Sequence, residues 1–381
     1  DIGLAPFVGD ATQAWGKPVV QGCGALTAID AAVELINASK RPMVIFGMQA
    51  SKPDVATAIQ NFLAKTKIPY TATFQGPGKW AQPEDGETFV GRVGLFRNQP
   101  ADHLLDQSDC VITVGYDPIE YDPNIWNQNN RRKLIAIDVI RADQDNDFMP
   151  EVEIVGEIGG SLELLASKLT PNIDAEFTSA VTDALTQNKL TVAEGAQLNG
   201  TPVHPLRVIH ELQKIITADT HIALDVGSNY IWMNRYYGAE YARQVLVSNG
   251  QQTLGVALPW AIATSLIYPD KRIISVSGDG GFLFSAMELE TAKRLGVKFI
   301  HLIWDSASYD MVSFQEAAHY AGDTAGVELG HYDVVAYAEA FGCKGYSIKS
   351  ADEIAGVFQD ALSSDVPVLI HIPIDYSQNM R

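Results

Sequence analysis

Residues 272–295, RIISVSGDGGFLFSAMELETAKRL, decide the fold class of this chain. Arg272–Ser277 is an apolar, β-branched run that is typical of a strand, and Gly278–Gly281 forms a turn before a segment with helical periodicity. A strand that passes through such a turn into a helix is typical of a parallel sheet covered by helices. The turn therefore places Asp279 and a flexible backbone at the carboxyl edge of a sheet, where ligands bind.

The same alternation continues on both sides of this stretch. Other strand-like segments are Met43–Phe46, Ile68–Thr73, Cys110–Gly115, Leu134–Asp138, His221–Val226, Val245–Val247, Lys298–Trp304 and Val366–Ile372. Between them lie segments with helical periodicity. The sequence therefore predicts an α/β protein with two doubly wound parallel-sheet domains. We expect a leading segment over 1–20, a central Rossmann-like domain over 21–170, a polar linker over 171–200 and a second domain over 201–381.

Composition excludes several classes of function. Among 381 residues, 27 Lys and Arg stand against 46 Asp and Glu, and the net charge of −19 opposes binding to nucleic acid or to anionic membranes. The three cysteines, Cys23, Cys110 and Cys343, have no metal-site spacing and predict a reduced, cytoplasmic location. The chain starts at Asp1 without Met or a signal peptide, so we expect that it was cut or is part of a longer polypeptide.

Two loops carry the candidate chemistry. Glycines in the turn around Asp279 permit close approach of a phosphate, and the carboxylate suits a divalent cation that neutralises it. The next strand, Lys298–Trp304, ends at Asp305 and Ser306, which would face Asp279 across the same crevice. A glycine-rich turn alone is equally consistent with a simple tight turn, so the two loops have to be taken together.

Longer motifs identify a family. Residues 248–270 (SNGQQTLGVALPWAIATSLIYPD), 274–295 and 301–315 (HLIWDSASYDMVSFQ) resemble the thiamine diphosphate-dependent enzymes, and among them the catabolic acetolactate synthases. Residues 41–51, 91–105 and 115–127 of the first half resemble the same family. The resemblance implies that 201–381 is the domain that binds thiamine diphosphate and Mg²⁺.

The resemblance also implies a role for each site residue. Asp279 would ligate Mg²⁺, Leu254 would prop the cofactor in its bent form, and the carbonyl near Gln252 would accept a hydrogen bond from its aminopyrimidine. Gln315 would orient bound pyruvate. The remaining positions are implied beside the diphosphate (Gly227, Ser228, Asn229, Gly278, Gly280, Gly281) and over the thiazolium ring (Tyr309, Met311, Val312).

Two departures from the family pattern limit this interpretation. The family's second metal ligand, an Asp or Asn, falls on Ser306, so either the hydroxyl of Ser306 or the carboxylate of Asp305 completes the metal site. The family chain also begins with a domain that supplies an activating glutamate, and no glutamate here stands in its place. The sequence therefore predicts that the chain as given is incomplete and has little or no activity by itself.

The leading hypothesis is a carboligase that condenses two pyruvates to 2-acetolactate and CO₂. The resemblance implies a homo-oligomer, dimeric or tetrameric. No flavin or NAD is expected, since no GxGxxG fingerprint occurs. Two alternatives remain open, a non-catalytic thiamine diphosphate-fold binding or assembly module and another 2-oxo-acid decarboxylase.

Overall fold

The computed structural model describes residues 21–79, 87–239, 243–248 and 251–379. The leading segment expected over 1–20 lies outside this range. Among the described residues, no helix is both long and apolar enough to cross a membrane.

The described residues of the first half form one sheet of six parallel strands, in the spatial order β3-β2-β1-β4-β5-β6. The strands are β1 (Pro42–Phe46), β2 (Tyr70–Thr73), β3 (Phe89–Val93), β4 (Cys110–Val114), β5 (Lys133–Asp138) and β6 (Val152–Val155). The helices are α1 (Leu26–Ala38), α2 (Ala56–Thr66), α3 (Pro100–Gln107), α4 (Pro123–Trp126), α5 (Ile158–Lys168) and α6 (Ala175–Glu194).

The central strand of this sheet explains why the fold needs helices on both faces. Every residue of β1 is buried. Val44 and Phe46 pack into one apolar cluster with α1, α2 and α5, whereas Met43 and Ile45 pack into another with α3 and α6. Because successive side chains of a strand point to opposite faces, a continuous apolar run has to be covered on both.

The described residues of the second half form another sheet of six parallel strands, in the order β11-β12-β10-β9-β7-β8. The strands are β7 (Thr220–Leu224), β8 (Val245–Val247), β9 (Arg272–Gly278), β10 (Ile300–Asp305), β11 (Lys344–Ser347) and β12 (Val368–Pro373). The helices are α7 (Pro205–Ile215), α8 (Ser228–Tyr236), α9 (Ala257–Ile267), α10 (Asp279–Leu283), α11 (Leu289–Leu295), α12 (Asp310–His319), α13 (Val334–Ala340) and α14 (Ile354–Leu362).

The predicted fold class is confirmed: both sheets are parallel and helices flank each of them. Three edge or near-edge strands, β3, β6 and β11, were not predicted. Two of them lack a long apolar run, since β3 contains Gly91 and Arg92, and β11 (KGYS) is only half-buried along its length. The segment predicted as a polar linker, 171–200, contains α6, whose Phe177 and Val181 pack against the first sheet.

The second sheet creates a crevice between β7 and β9. The chain leaves β7 toward β8 on one side and later returns to β9 on the other. The helices that follow the two strands lie on opposite faces, since α8 packs into one apolar cluster and α10 into another. Such a change of direction opens a crevice at the carboxyl ends of the strands, where α/β proteins bind ligands.

Candidate active site

Loops after β7, β9 and β10 meet at this edge and enclose a cavity of about 240 Å³. The structure brings nearly all the predicted site residues to it. Those lining the cavity are Gly227, Ser228, Asn229, Gln252, Leu254, Gly278, Asp279, Gly280, Gly281, Ser306, Tyr309, Met311, Val312 and Gln315. Asp305 is the exception: it does not line the cavity, but its side chain contacts that of Asp279.

The glycine-rich turn presents the Asp279 carboxylate at the start of α10. Its Oδ1 accepts the Gly280 N–H at 2.9 Å, and its Oδ2 accepts the Ser308 N–H at 3.1 Å. This second bond ties the loop after β9 to the loop after β10. A Cβ atom at Gly280 would lie 2.4 Å from Cε1 of Tyr309, so glycine is required for the two loops to approach this closely.

Asp279 and Asp305 form a carboxyl pair across β9 and β10. Burial and a hydrogen bond with the Asp305 side chain raise the pKa of Asp279. The pKa of Asp305 is lowered instead, because its carboxylate accepts a hydrogen bond from His371. Two carboxylates in contact repel each other unless a proton or a cation lies between them. A proton shared by the two carboxyls would remove this repulsion, and a divalent cation bound between them would do the same.

The donor set suits Mg²⁺ rather than a metal held entirely by side chains. The part of the chain that the structure describes has no cluster of three or more His, Cys, Asp or Glu side chains arranged around a metal position. Mg²⁺ is commonly bound by one or two carboxylates together with phosphate oxygens and water. Ser306 contributes no charge, and its Oγ donates to the Ser308 carbonyl at 3.3 Å.

The start of α8 forms another part of the cavity wall. Gly227 has a φ of 142°, a conformation that disfavours residues with a Cβ. Asn229 Nδ2 donates to the carbonyl of Asp225 at 2.9 Å and braces the turn after β7. Ser228 Oγ donates to the Asp310 carboxylate, so both predicted polar residues already have protein partners.

Asp225 anchors the loop that carries Gln252 and Leu254. Both of its carboxylate oxygens accept the Gly255 N–H at 2.9 Å. Burial raises the pKa of Asp225 to about 6, although backbone N–H groups, among them those of Val226 and Gly255, oppose the rise. This buried carboxylate thus fixes the position from which the Leu254 side chain lines the cavity.

Replacing Gly255 by alanine should destabilise the protein by roughly 1–3 kcal/mol through strain and overpacking. Gly255 has a φ of 80°, and an added Cβ would lie 2.6 Å from Cβ of Phe284. Urea unfolding measures the loss. Gly296→Ala is a matched control, because Gly296 has a φ of 66° but nothing within 4 Å of the added atom. An equal loss in both variants would contradict the role assigned to the Phe284 contact.

Helix α12 brings the remaining predicted residues to the cavity. Tyr309 precedes the helix. Met311 packs against the apolar cluster that includes α8, and Val312 is 47% exposed. Gln315 lies one turn after Met311, so both contact the same cavity.

Several cavity residues were missed from the sequence. Asp310, Tyr376 and Trp304 line it, and Asn379 donates to both Ser228 Oγ at 2.7 Å and Asp310 Oδ2 at 2.6 Å. Burial raises the pKa of Asp310, whereas its bonds to Ser228 and Asn379 lower it. Asp310 could have been predicted as a cavity residue only from its position inside the 301–315 motif. Tyr376 and Asn379 lie beyond β12 in a segment without a motif.

Comparison with protein families gives two matches. Residues 29–165 match the central domain of thiamine pyrophosphate enzymes, and residues 225–372 match the C-terminal TPP binding domain of the same enzymes. The second match contains both loops of the carboxyl pair.

Curated relatives agree with these matches. The chain is 41% identical to an acetolactate synthase of Bacillus subtilis (strain 168) over 364 residues, which cover 94% of this chain and 63% of the relative. It is 40% identical to a catabolic acetolactate synthase of Raoultella terrigena over 382 residues, which cover all of this chain and 67% of the relative. The chain thus spans about two thirds of the length of these proteins.

Proposed function

We propose, since this chain belongs to the thiamine pyrophosphate enzyme family, that it condenses two pyruvates to 2-acetolactate and CO₂. The observation that carries the proposal is the cavity itself: residues from four separate loops, each in a family-like motif, line one site at the carboxyl ends of β7 and β9. The names of the B. subtilis and R. terrigena relatives support the choice of reaction.

The cavity residues fit a diphosphate-bearing cofactor. Gly227, Gly278 and Gly280 lend backbone without side-chain bulk, and the α10 N–H groups favour negative charge. Leu254 provides an apolar side chain in the same cavity. Bound thiamine diphosphate supplies the nucleophilic carbon for the reaction of 2-oxo acids. The protein holds it, orients the substrates and excludes water.

The metal would be held by Asp279 and Asp305. Their contact supports this assignment, and the Ser306 hydroxyl, which is directed at the Ser308 carbonyl, is the weaker candidate. A divalent cation removes the repulsion between the carboxylates and that of the diphosphate at the same time.

Asp305→Ala should weaken Mn²⁺ binding in the presence of thiamine diphosphate by roughly 10–100-fold, since a charge-assisted contact is lost. Ser306→Ala should change it by less than roughly threefold, because the hydroxyl is neutral and bonded elsewhere. Electron paramagnetic resonance of free Mn²⁺ measures both affinities. A larger loss from Ser306→Ala would assign the ligand to Ser306 instead.

Pyruvate would meet the outer part of the cavity, lined by Tyr309, Val312 and Gln315. The Gln315 amide offers a donor and an acceptor to a carboxylate and a ketone. Val312 gives an apolar wall, and its exposure leaves this side of the site open to a further protein surface. These residues would orient the two pyruvates, and holding reactants in the right geometry lowers the barrier of a reaction between them.

The activity test uses pyruvate, thiamine diphosphate and Mg²⁺. Because no glutamate lines the cavity in the described part of the chain, the chain is assayed alone and fused to the segment of the B. subtilis relative that lies outside the match. Acetolactate from the fusion supports the proposal. Acetaldehyde without acetolactate would identify a decarboxylase, and no turnover from either form would contradict enzymatic function. The fusion with Asp279→Ala should be inactive, which shows that this chain supplies the site.

A homo-oligomer is part of the proposal. Directly after the glycine-rich turn, Phe284 and Met287 are 56% and 61% exposed, and Leu283 lies beside them. Exposed apolar patches of this kind commonly mark interaction surfaces. Sedimentation measurements test the association.

A cytoplasmic location and the absence of nucleic-acid or membrane partners also belong to the proposal. The free thiols support the first, and the charge of −19 supports the second.

A further inference from the structure

A line of polar side chains crosses the second sheet and ends at the carboxyl pair. Lys349 Nζ lies 3.0 Å from Ser347 Oγ, and Ser347 Oγ lies 3.0 Å from His371 Nδ1. His371 Nε2 in turn lies 2.7 Å from Asp305 Oδ2, and Asp305 contacts Asp279. The line follows the neighbouring strands β11, β12, β10 and β9, so the sheet register holds it in place.

The direction of the hydrogen bonds follows from the donors available. The Lys349 ammonium has only donors, so Ser347 Oγ accepts from it. The Ser347 hydroxyl keeps its own hydrogen and is able to donate it to His371 Nδ1. An ionised Asp305 has only acceptors, so His371 Nε2 carries the hydrogen of the bond between them.

Both oxygens of Asp305 are fixed by these contacts. Oδ2 accepts from His371, and Oδ1 accepts the Ala307 N–H at 2.7 Å. The two side chains are largely buried, with 19% of Asp305 and 18% of His371 exposed, so water competes little for the bond. The carboxylate is thus held in one orientation beside Asp279.

We propose that His371 is a positioning residue for the metal site and keeps the Asp305 carboxylate directed at the cation beside Asp279. The inference rests on the proposed function. It also explains how Asp305 replaces the charge that Ser306 lacks, because the bond from β12 orients an aspartate one position earlier in the chain. Partners that orient metal-binding carboxylates commonly contribute 10–100-fold to metal affinity.

The test compares His371→Leu and His371→Ala, which remove the donor, with His371→Gln, whose amide nitrogen replaces Nε2. Mn²⁺ affinity is measured by electron paramagnetic resonance with thiamine diphosphate present, and thermal unfolding is followed for each variant. The same changes are made in an Asp305→Ala background. Exposed His319, on α12, gives a control variant, His319→Leu.

His371→Leu and His371→Ala should lower the Mn²⁺ affinity by roughly tenfold or more. His371→Gln should keep an affinity within roughly threefold of the parent protein. In the Asp305→Ala background, His371→Leu should cause no further loss, since His371 acts through Asp305. The inference would be overturned by unchanged Mn²⁺ affinity in folded His371→Leu or His371→Ala, or by equal losses of affinity in His371→Gln and His371→Leu. Losses that add in the double variant with Asp305→Ala would also overturn it. In each case the proposed function would stand. A parent protein that binds neither Mn²⁺ nor thiamine diphosphate would overturn both.

Discussion

Replacing Asp279 by alanine should abolish the Mg²⁺-dependent binding of thiamine diphosphate, with an affinity loss of at least roughly 100-fold. Asp279 is buried at the start of α10, and its carboxylate is one of the pair that the proposed metal joins. Without it, the cation has a single carboxylate and the diphosphate charge is left uncompensated. Calorimetric titration with the cofactor, with and without Mg²⁺, measures the effect.

A second variant separates lost binding from lost folding. Asp279→Asn removes the charge but keeps one acceptor oxygen, which can accept the N–H of Gly280 or that of Ser308 and not both. Because the pKa of Asp279 is raised in the folded state, its ionised form costs stability as the pH rises above the unfolded value. The removal of the charge offsets the loss of one hydrogen bond, so without metal at neutral pH this variant should unfold close to the temperature of the parent protein. Asp323→Ala, at an exposed position, should change neither property, and unchanged cofactor affinity in Asp279→Ala would contradict the assignment.

Sequence reasoning predicted the cavity residues that follow directly from a strand. The turn at Gly278–Gly281 and the segment at Tyr309–Gln315 each continue a buried apolar run, so the strand ends determine where the side chains lie. In a parallel sheet these ends meet at one edge. The positions of the strands in the sequence are therefore enough to predict that residues far apart in the chain lie close together.

The contacts that the sequence could not predict join side chains across the sheet. His371 reaches Asp305 because β12 lies between β10 and β11, although it follows β11 in the chain. The pairing of Asn379 with Ser228 depends in the same way on where the last segment returns. Strand order is set by the packing of the whole domain, and no local pattern carries it. The choice between Asp305 and Ser306 as metal ligand therefore stays a prediction, and the contact of Asp305 with His371 across the sheet supports Asp305.

The 381-residue chain, assayed alone, should form acetolactate at least roughly 100-fold more slowly than the fusion that adds the unmatched segment of the B. subtilis relative. The cavity offers aspartates, a glutamine and hydroxyls, but no glutamate lines it in the described part of the chain. The family resemblance assigns cofactor activation to a glutamate from a further domain, and acid–base assistance of this kind contributes roughly 10²–10⁴-fold. Val312 is also exposed in this chain, so water enters the side of the site where the substrates would meet.

Initial rates of acetolactate formation from saturating pyruvate, thiamine diphosphate and Mg²⁺ are compared for the two forms. Cofactor binding by both forms is the control for an intact site. Equal rates would show that the activating group lies within these 381 residues and that the assignment of glutamate to another domain is wrong.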